Sequence, residues 1–161
     1  MDYSYATYPR GAGIILAHEM QHARDFNVLG SPRNARECYA FEARGFLTEA
    51  YLWLTWFGPD GKSPTSGVLD REENSILKQI RANPQVFVDQ LIKSYTENKQ
   101  CTAYPKTGSA DRLLTLDGLP EGIGGALPVD LILASLTAAL ANEQGLATFG
   151  ADDPAFTITP R

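Results

Sequence analysis

The sequence predicts a mainly α-helical fold with little or no β-sheet. Apolar residues recur at intervals of three and four along most of the chain, and several segments carry the start and stop signals of helices. An alternating pattern typical of a strand is confined to residues 2–8. The 161 residues, of which 43% are hydrophobic, suffice for a sizeable core. We therefore expect one domain over residues 1–161, with its core in about residues 8–100.

The first helix is predicted to begin near Pro9 and to stop at Gly30. Proline suits the first turn of a helix, and glycine suits the position after its end. One face of this helix carries residues spaced four apart: Ile14, His18, His22 and Phe26. Because such residues lie above one another on a helix, we expect this face to point inward.

The second helix is predicted to start at Ser31 and Pro32, which suit the N-cap and first-turn positions. It continues to Phe57, before Gly58 and Pro59.

Two further helices have start signals of their own. Asp70 and Glu73 have the spacing of a capping box, which predicts a helix through about Arg81. Asn83 and Pro84 cap a fourth helix that is expected to run to about residue 98.

The last third of the chain is predicted to be less regular. Residues 102–127 are rich in Gly, Pro, Thr and Asp and read as a connector. Pro128 begins a helix with apolar residues at helical spacing, which ends at Gly145, and the tail is expected to be irregular.

The residues that carry chemistry form the segment His18-Glu19-Met20-Gln21-His22, which contains both histidines of the protein. On a helix, imidazoles at positions i and i+4 can reach one metal ion. The glutamate between them can take a proton from a metal-bound water. The motif therefore predicts a Zn²⁺ site with His18 and His22 as ligands and Glu19 as the catalytic base.

A catalytic zinc site needs a third protein ligand, and the chain has no third histidine. Glu37 and Glu42 compete for this position on the second helix, fifteen and twenty residues after His22. We favour Glu37, because its neighbours Ala40 and Phe41 would pack near the motif helix. Glu42 remains the alternative third ligand, since its spacing is the one used by the thermolysin group.

Asp25 lies three residues after His22 and has two interpretations. It could accept a hydrogen bond from a ligand imidazole and so fix the orientation of that ring. It could equally pair with Arg24 or Arg33 at the surface.

The motif segment and the segment Glu37-Cys38-Tyr39-Ala40-Phe41-Glu42-Ala43 together resemble the gluzincin group of zinc metallopeptidases. The likeness covers roughly residues 8–60. It implies a zincin-like helical domain, in which the motif helix packs on a helix that bears the glutamate ligand. It also implies a zinc-dependent hydrolase that acts on peptide bonds in a peptide or protein substrate.

Zinc peptidases of this group usually place a β-sheet ahead of the motif helix, whereas only about ten residues precede it here. The cleft could thus be completed by a missing N-terminal region or a partner. The alternative function is a non-catalytic helical interaction module that zinc stabilises, a truncated or degenerate zincin.

Composition limits the other functions. The formal charge of −5 and the absence of a basic block argue against a nucleic-acid surface. The N-terminus carries no signal-peptide pattern and no apolar stretch is long enough to span a membrane, so we expect a soluble protein whose compartment stays open. The two cysteines, Cys38 and Cys101, are either one disulfide or two buried thiols.

Overall fold

The computed structural model describes residues 9–58, 60, 67–141 and 158–160. Within these residues the regular elements are all helices, which confirms the mainly α-helical class. They are α1 (Pro9–Leu29), α2 (Ala35–Phe57), α3 (Val68–Ala82), α4 (Pro84–Glu97), α5 (Ile123–Ala126) and α6 (Val129–Ala141). The strand predicted in residues 2–8 lies outside the described residues.

Helix α1 has the predicted bounds, from Pro9 to the residue before Gly30. Its most extensive contact is with α2, which it meets in antiparallel orientation after a short loop. The buried residues of α1 recur at intervals of three and four and so form one stripe along α2: Ile14, His18, Gln21 and Asp25. The motif histidines therefore lie on or beside the face that packs against α2.

Helix α2 lies at the centre of the molecule and contacts each of the other five helices. Its aromatic residues Tyr39, Phe41, Phe46 and Trp53 are buried, and Phe46 meets Phe87 and Tyr95 of α4 edge-on. The predicted start at Ser31 and Pro32 is wrong, because the N-cap is Asn34, whose side chain accepts a hydrogen bond from the backbone amide of Glu37. The predicted end at Phe57 is confirmed.

Helices α3 and α4 exist as predicted, although the start of α3 differs. Helix α3 begins at Val68 after Gly67, so Asp70 lies inside its first turn and is not the cap of a capping box. Helix α4 has Pro84 in its first turn after Asn83, as the sequence indicates.

The connector carries more structure than predicted. A 3₁₀ turn spans Asp111–Leu113, and the short helix α5 precedes α6. Helix α6 follows Pro128 and packs against α4. Its predicted end at Gly145 and most of the tail lie outside the described residues.

Cys38 of α2 and Cys101, which follows α4, form a disulfide, and both residues are buried. The bond joins α2 to the segment that leads into the connector. Among the described residues, no helix has both the length and the apolar character that a bilayer span requires.

Candidate metal centre

The approach of α1 to α2 depends on a glycine beside His18. A Cβ atom at Gly45 would lie 2.6 Å from Cε1 and Nε2 of the His18 ring, which no real side chain tolerates. The imidazole therefore packs directly on the backbone of α2, with the ring of Phe46 edge-on at a centroid distance of 4.9 Å. A glycine inside a helix costs about 0.5–1 kcal/mol relative to alanine, and here it provides space for the imidazole.

Three of the predicted candidates come together at this contact. Nε2 of His18 lies 3.2 Å from Oε2 of Glu42, and Nε2 of His22 lies 3.5 Å from the same oxygen. Ligand atoms of all three residues lie within 4.8 Å of one another. Two atoms bound tetrahedrally to one zinc at about 2.0–2.1 Å are about 3.3 Å apart, so the donor set fits the ion with small shifts.

Glu49, which was not predicted as a site residue, contacts the opposite edge of the His18 ring at Nδ1. Its Oε1 lies 2.9 Å from Nδ1 of His18, and both side chains are fully buried. A proton on Nδ1 that faces this carboxylate leaves the lone pair of Nε2 directed toward Glu42 and His22. The contact of Nδ1 of His18 with Glu49 is an ion pair without hydrogen-bond geometry, and Nδ1 of His22 is buried with no hydrogen-bond partner among the described residues.

The two carboxylates also set the charge of His18. Burial lowers the pKa of His18, but the hydrogen bond to Glu42, the contact with Glu49 and the charges of both carboxylates outweigh burial and raise it to about 9. Burial raises the pKa of Glu42, whereas hydrogen bonds to His18 and His22 and the charges of both histidines bring it down to about 2. Without a metal the cluster is therefore an ion-paired group at neutral pH, and metal binding must release the proton of His18.

Solvent reaches the cluster from one side. The side chain of His18 is fully buried, while those of His22 and Glu42 are 12% and 17% exposed. Glu19 lies on the exposed surface of α1, three residues before His22 and therefore next to it on the helix.

Glu37, which we favoured as the third ligand, does not lie beside the histidines in the structure; Glu42, the alternative, does. The carboxylate of Glu37 is bound by Arg33 and Arg112, with its oxygens 2.7 Å and 2.6 Å from their guanidinium nitrogens. It also accepts a hydrogen bond from the backbone amide of Arg33 at the start of α2. The hydrogen bond from Arg112 is the largest cause that lowers the pKa of Glu37, to about 2.

Asp25 has partners that neither interpretation of the sequence named. It is buried and paired with the fully buried Arg44 through two hydrogen bonds of 2.8 Å and 2.9 Å. Gln21 donates to the same carboxylate. Arg44 also donates to the backbone carbonyls of residues 113, 115 and 117, so this network ties α1 and α2 to the connector.

A sequence signal for the two glutamates that contact His18 exists in α2. Glu42, Gly45 and Glu49 stand at i, i+3 and i+7, which places two carboxylates and a gap for a ring on one helix face. Glu37 carries a different signal, because Asn34 and Glu37 have the spacing of a capping box.

Two surface pockets of about 420 and 360 Å³ lie elsewhere, one lined by Arg36, Thr137 and the 108–111 segment, the other by α4 and residues 158–160. Neither contains a residue of the cluster.

Comparison of the chain with protein-family models, with curated proteins and with solved structures gave no match.

Proposed function

We propose that this protein is a zinc-dependent peptidase whose metal ligands are His18, His22 and Glu42 and whose general base is Glu19. The observation that carries the proposal is that the glutamate twenty residues after the motif meets both motif imidazoles across the α1–α2 contact. A chance pair of histidines would not require such a partner. The packing of the motif helix on a glutamate-bearing helix is what a zincin-like arrangement needs.

Zinc, when bound, would activate a water and polarise the scissile carbonyl. The roles of the protein side chains follow from their positions. Glu49 orients the imidazole of His18, and Glu42 balances part of the ion's charge. Glu19, exposed beside His22, takes the proton of the attacking water and returns it to the leaving amine.

The second candidate is a non-catalytic helical module in which zinc only stabilises the α1–α2 pair. The same geometry supports it, because His18 between Glu42 and Glu49 already forms a buried ion-paired group. Neither of the two pockets described above reaches the cluster.

Replacement of Glu19 by glutamine separates the two candidates. Glu19→Gln keeps the shape of the side chain and removes its basicity, so peptide hydrolysis should fall about 10²–10⁴-fold while zinc content stays the same. Cleavage of a peptide mixture is followed by mass spectrometry, with zinc measured on the same samples. The matched control is Glu97→Gln, which removes an exposed carboxylate at the end of α4.

Cleavage by the parent, by the control and not by Glu19→Gln would support the peptidase. A parent that holds zinc and cleaves nothing would favour the stabilising role. Equal cleavage by Glu19→Gln and the parent would show that Glu19 is not the base.

A further inference from the structure

The open side of the metal cluster is bordered by an aromatic surface on α1 and α2. Phe26 lies one turn after His22, and its ring stacks on that imidazole with a centroid distance of 6.0 Å and an interplanar angle of 16°. The ring of Phe41, one residue before Glu42 on α2, lies 5.1 Å from that of Phe26. Phe41 is 1% exposed and so supports Phe26 from below, whereas Phe26 itself is 45% exposed.

Phe26 also shares a helix face with the proposed base. Glu19, His22 and Phe26 stand at i, i+3 and i+7, so they follow one another along the solvent-facing edge of α1. An extended peptide advances about 3.3 Å per residue, so a ring 6.0 Å from His22 lies within reach of a side chain next to the bond being cut.

We infer that Phe26 is a specificity-determining residue, and that it selects a large apolar side chain next to the scissile bond of a peptide substrate. The inference rests on the proposed function. A benzyl or isobutyl group would cover the exposed face of Phe26 and remove apolar surface from water. An acidic side chain would lie near the carboxylates of Glu19 and Glu42, which disfavours it.

Binding of two small zinc-directed probes tests the inference without relying on turnover. Phenylalanine hydroxamate and alanine hydroxamate share the metal-binding group and differ only in the side chain. Calorimetry on the zinc-loaded parent should show about tenfold tighter binding of the phenylalanine probe, within the range that apolar contacts supply. Phe26→Ser should reduce this ratio to about threefold or less, and Phe26→Leu should preserve most of it.

Val28→Ser is the matched control, because Val28 is an exposed apolar residue near the same end of α1. Zinc content verifies that the site is intact in each variant, and a peptide-library digest should show the same preference in the parent and its loss in Phe26→Ser.

Three results would contradict the account at different levels. An undiminished ratio in Phe26→Ser, with zinc content intact, would overturn the role of Phe26 and leave the peptidase proposal standing. A parent that cleaves peptides with no preference for apolar residues would do the same. A zinc-loaded parent that binds neither probe and cleaves no peptide would overturn the proposed function, and the inference with it.

Discussion

His18 is the most constrained residue of the proposed site. Its ring lies against the backbone at Gly45, its Nε2 faces Glu42 and its Nδ1 faces Glu49. These contacts fix the position of the imidazole before any ion binds, and Glu49 would keep the remaining proton on Nδ1 once Nε2 loses its proton to make room for a metal. A ligand that is held in this way loses little conformational freedom on binding, which favours metal affinity.

Glu49→Gln tests this role at the residue scale. The amide keeps the size of the carboxylate but loses the charge that orients the His18 imidazole, so zinc affinity should fall about 10–100-fold, as for other residues behind metal ligands. Chelator competition gives the affinity, and thermal unfolding of the metal-free protein is measured in parallel. If Glu49→Gln lowers the melting temperature and leaves zinc affinity unchanged, Glu49 serves packing alone.

At the scale of helices, the sequence correctly predicts that α1, α2, α3, α4 and α6 exist. Each of these helices has apolar residues at helical spacing and a glycine, proline or asparagine at one end. The sequence does not predict which face of α2 packs against α1. Glu37 and Glu42 are five residues apart, about 140° around the helix, so only one of them can face α1. Long-range pairs decide this rotation, including Arg112 with Glu37 and Arg44 with Asp25, and a single sequence does not display them.

Glu37 should stabilise the start of α2 in a pH-dependent manner. Its hydrogen bond from Arg112 outweighs burial and lowers its pKa from 4.5 to about 2, so the ionised form is favoured in the folded state. The stabilisation is therefore complete above pH about 4.5 and is lost as the pH falls through about 2. Glu37→Gln should be less stable than the parent at pH 7, and the difference should shrink steadily below pH 4.5.

Urea unfolding of the metal-free parent and of Glu37→Gln at several pH values between 2 and 7 measures this difference. Glu42 also has a lowered pKa and titrates in the same range, so only the difference between the two proteins reports on Glu37. A difference that stays constant from pH 7 to pH 2 would show that the carboxylate is not held in its ionised form by Arg112.

For the whole molecule, two long-range links tie α2 to distant parts of the chain. The Cys38–Cys101 disulfide joins positions 63 residues apart, which corresponds to about 4 kcal/mol of unfolded-state entropy in a chain-entropy model. The Asp25–Arg44 network joins both helices to the connector. From the sequence, Cys38 and Cys101 could form a disulfide or remain two thiols, and nothing indicated that Arg44 would be buried. Both features depend on contacts between segments that are distant in the chain.

The Asp25–Arg44 pair holds α1 against α2, where the three proposed ligands meet. The central claim is that His18, His22 and Glu42 bind one zinc ion. Titration of Zn²⁺ into the metal-free parent, Glu42→Gln and Glu37→Gln, followed by calorimetry, tests it most directly. We predict one zinc per chain for the parent, affinity weakened at least about tenfold in Glu42→Gln, and near-parental affinity per folded molecule in Glu37→Gln. A parent that binds no zinc, or a loss of affinity in Glu37→Gln but not in Glu42→Gln, would contradict the account.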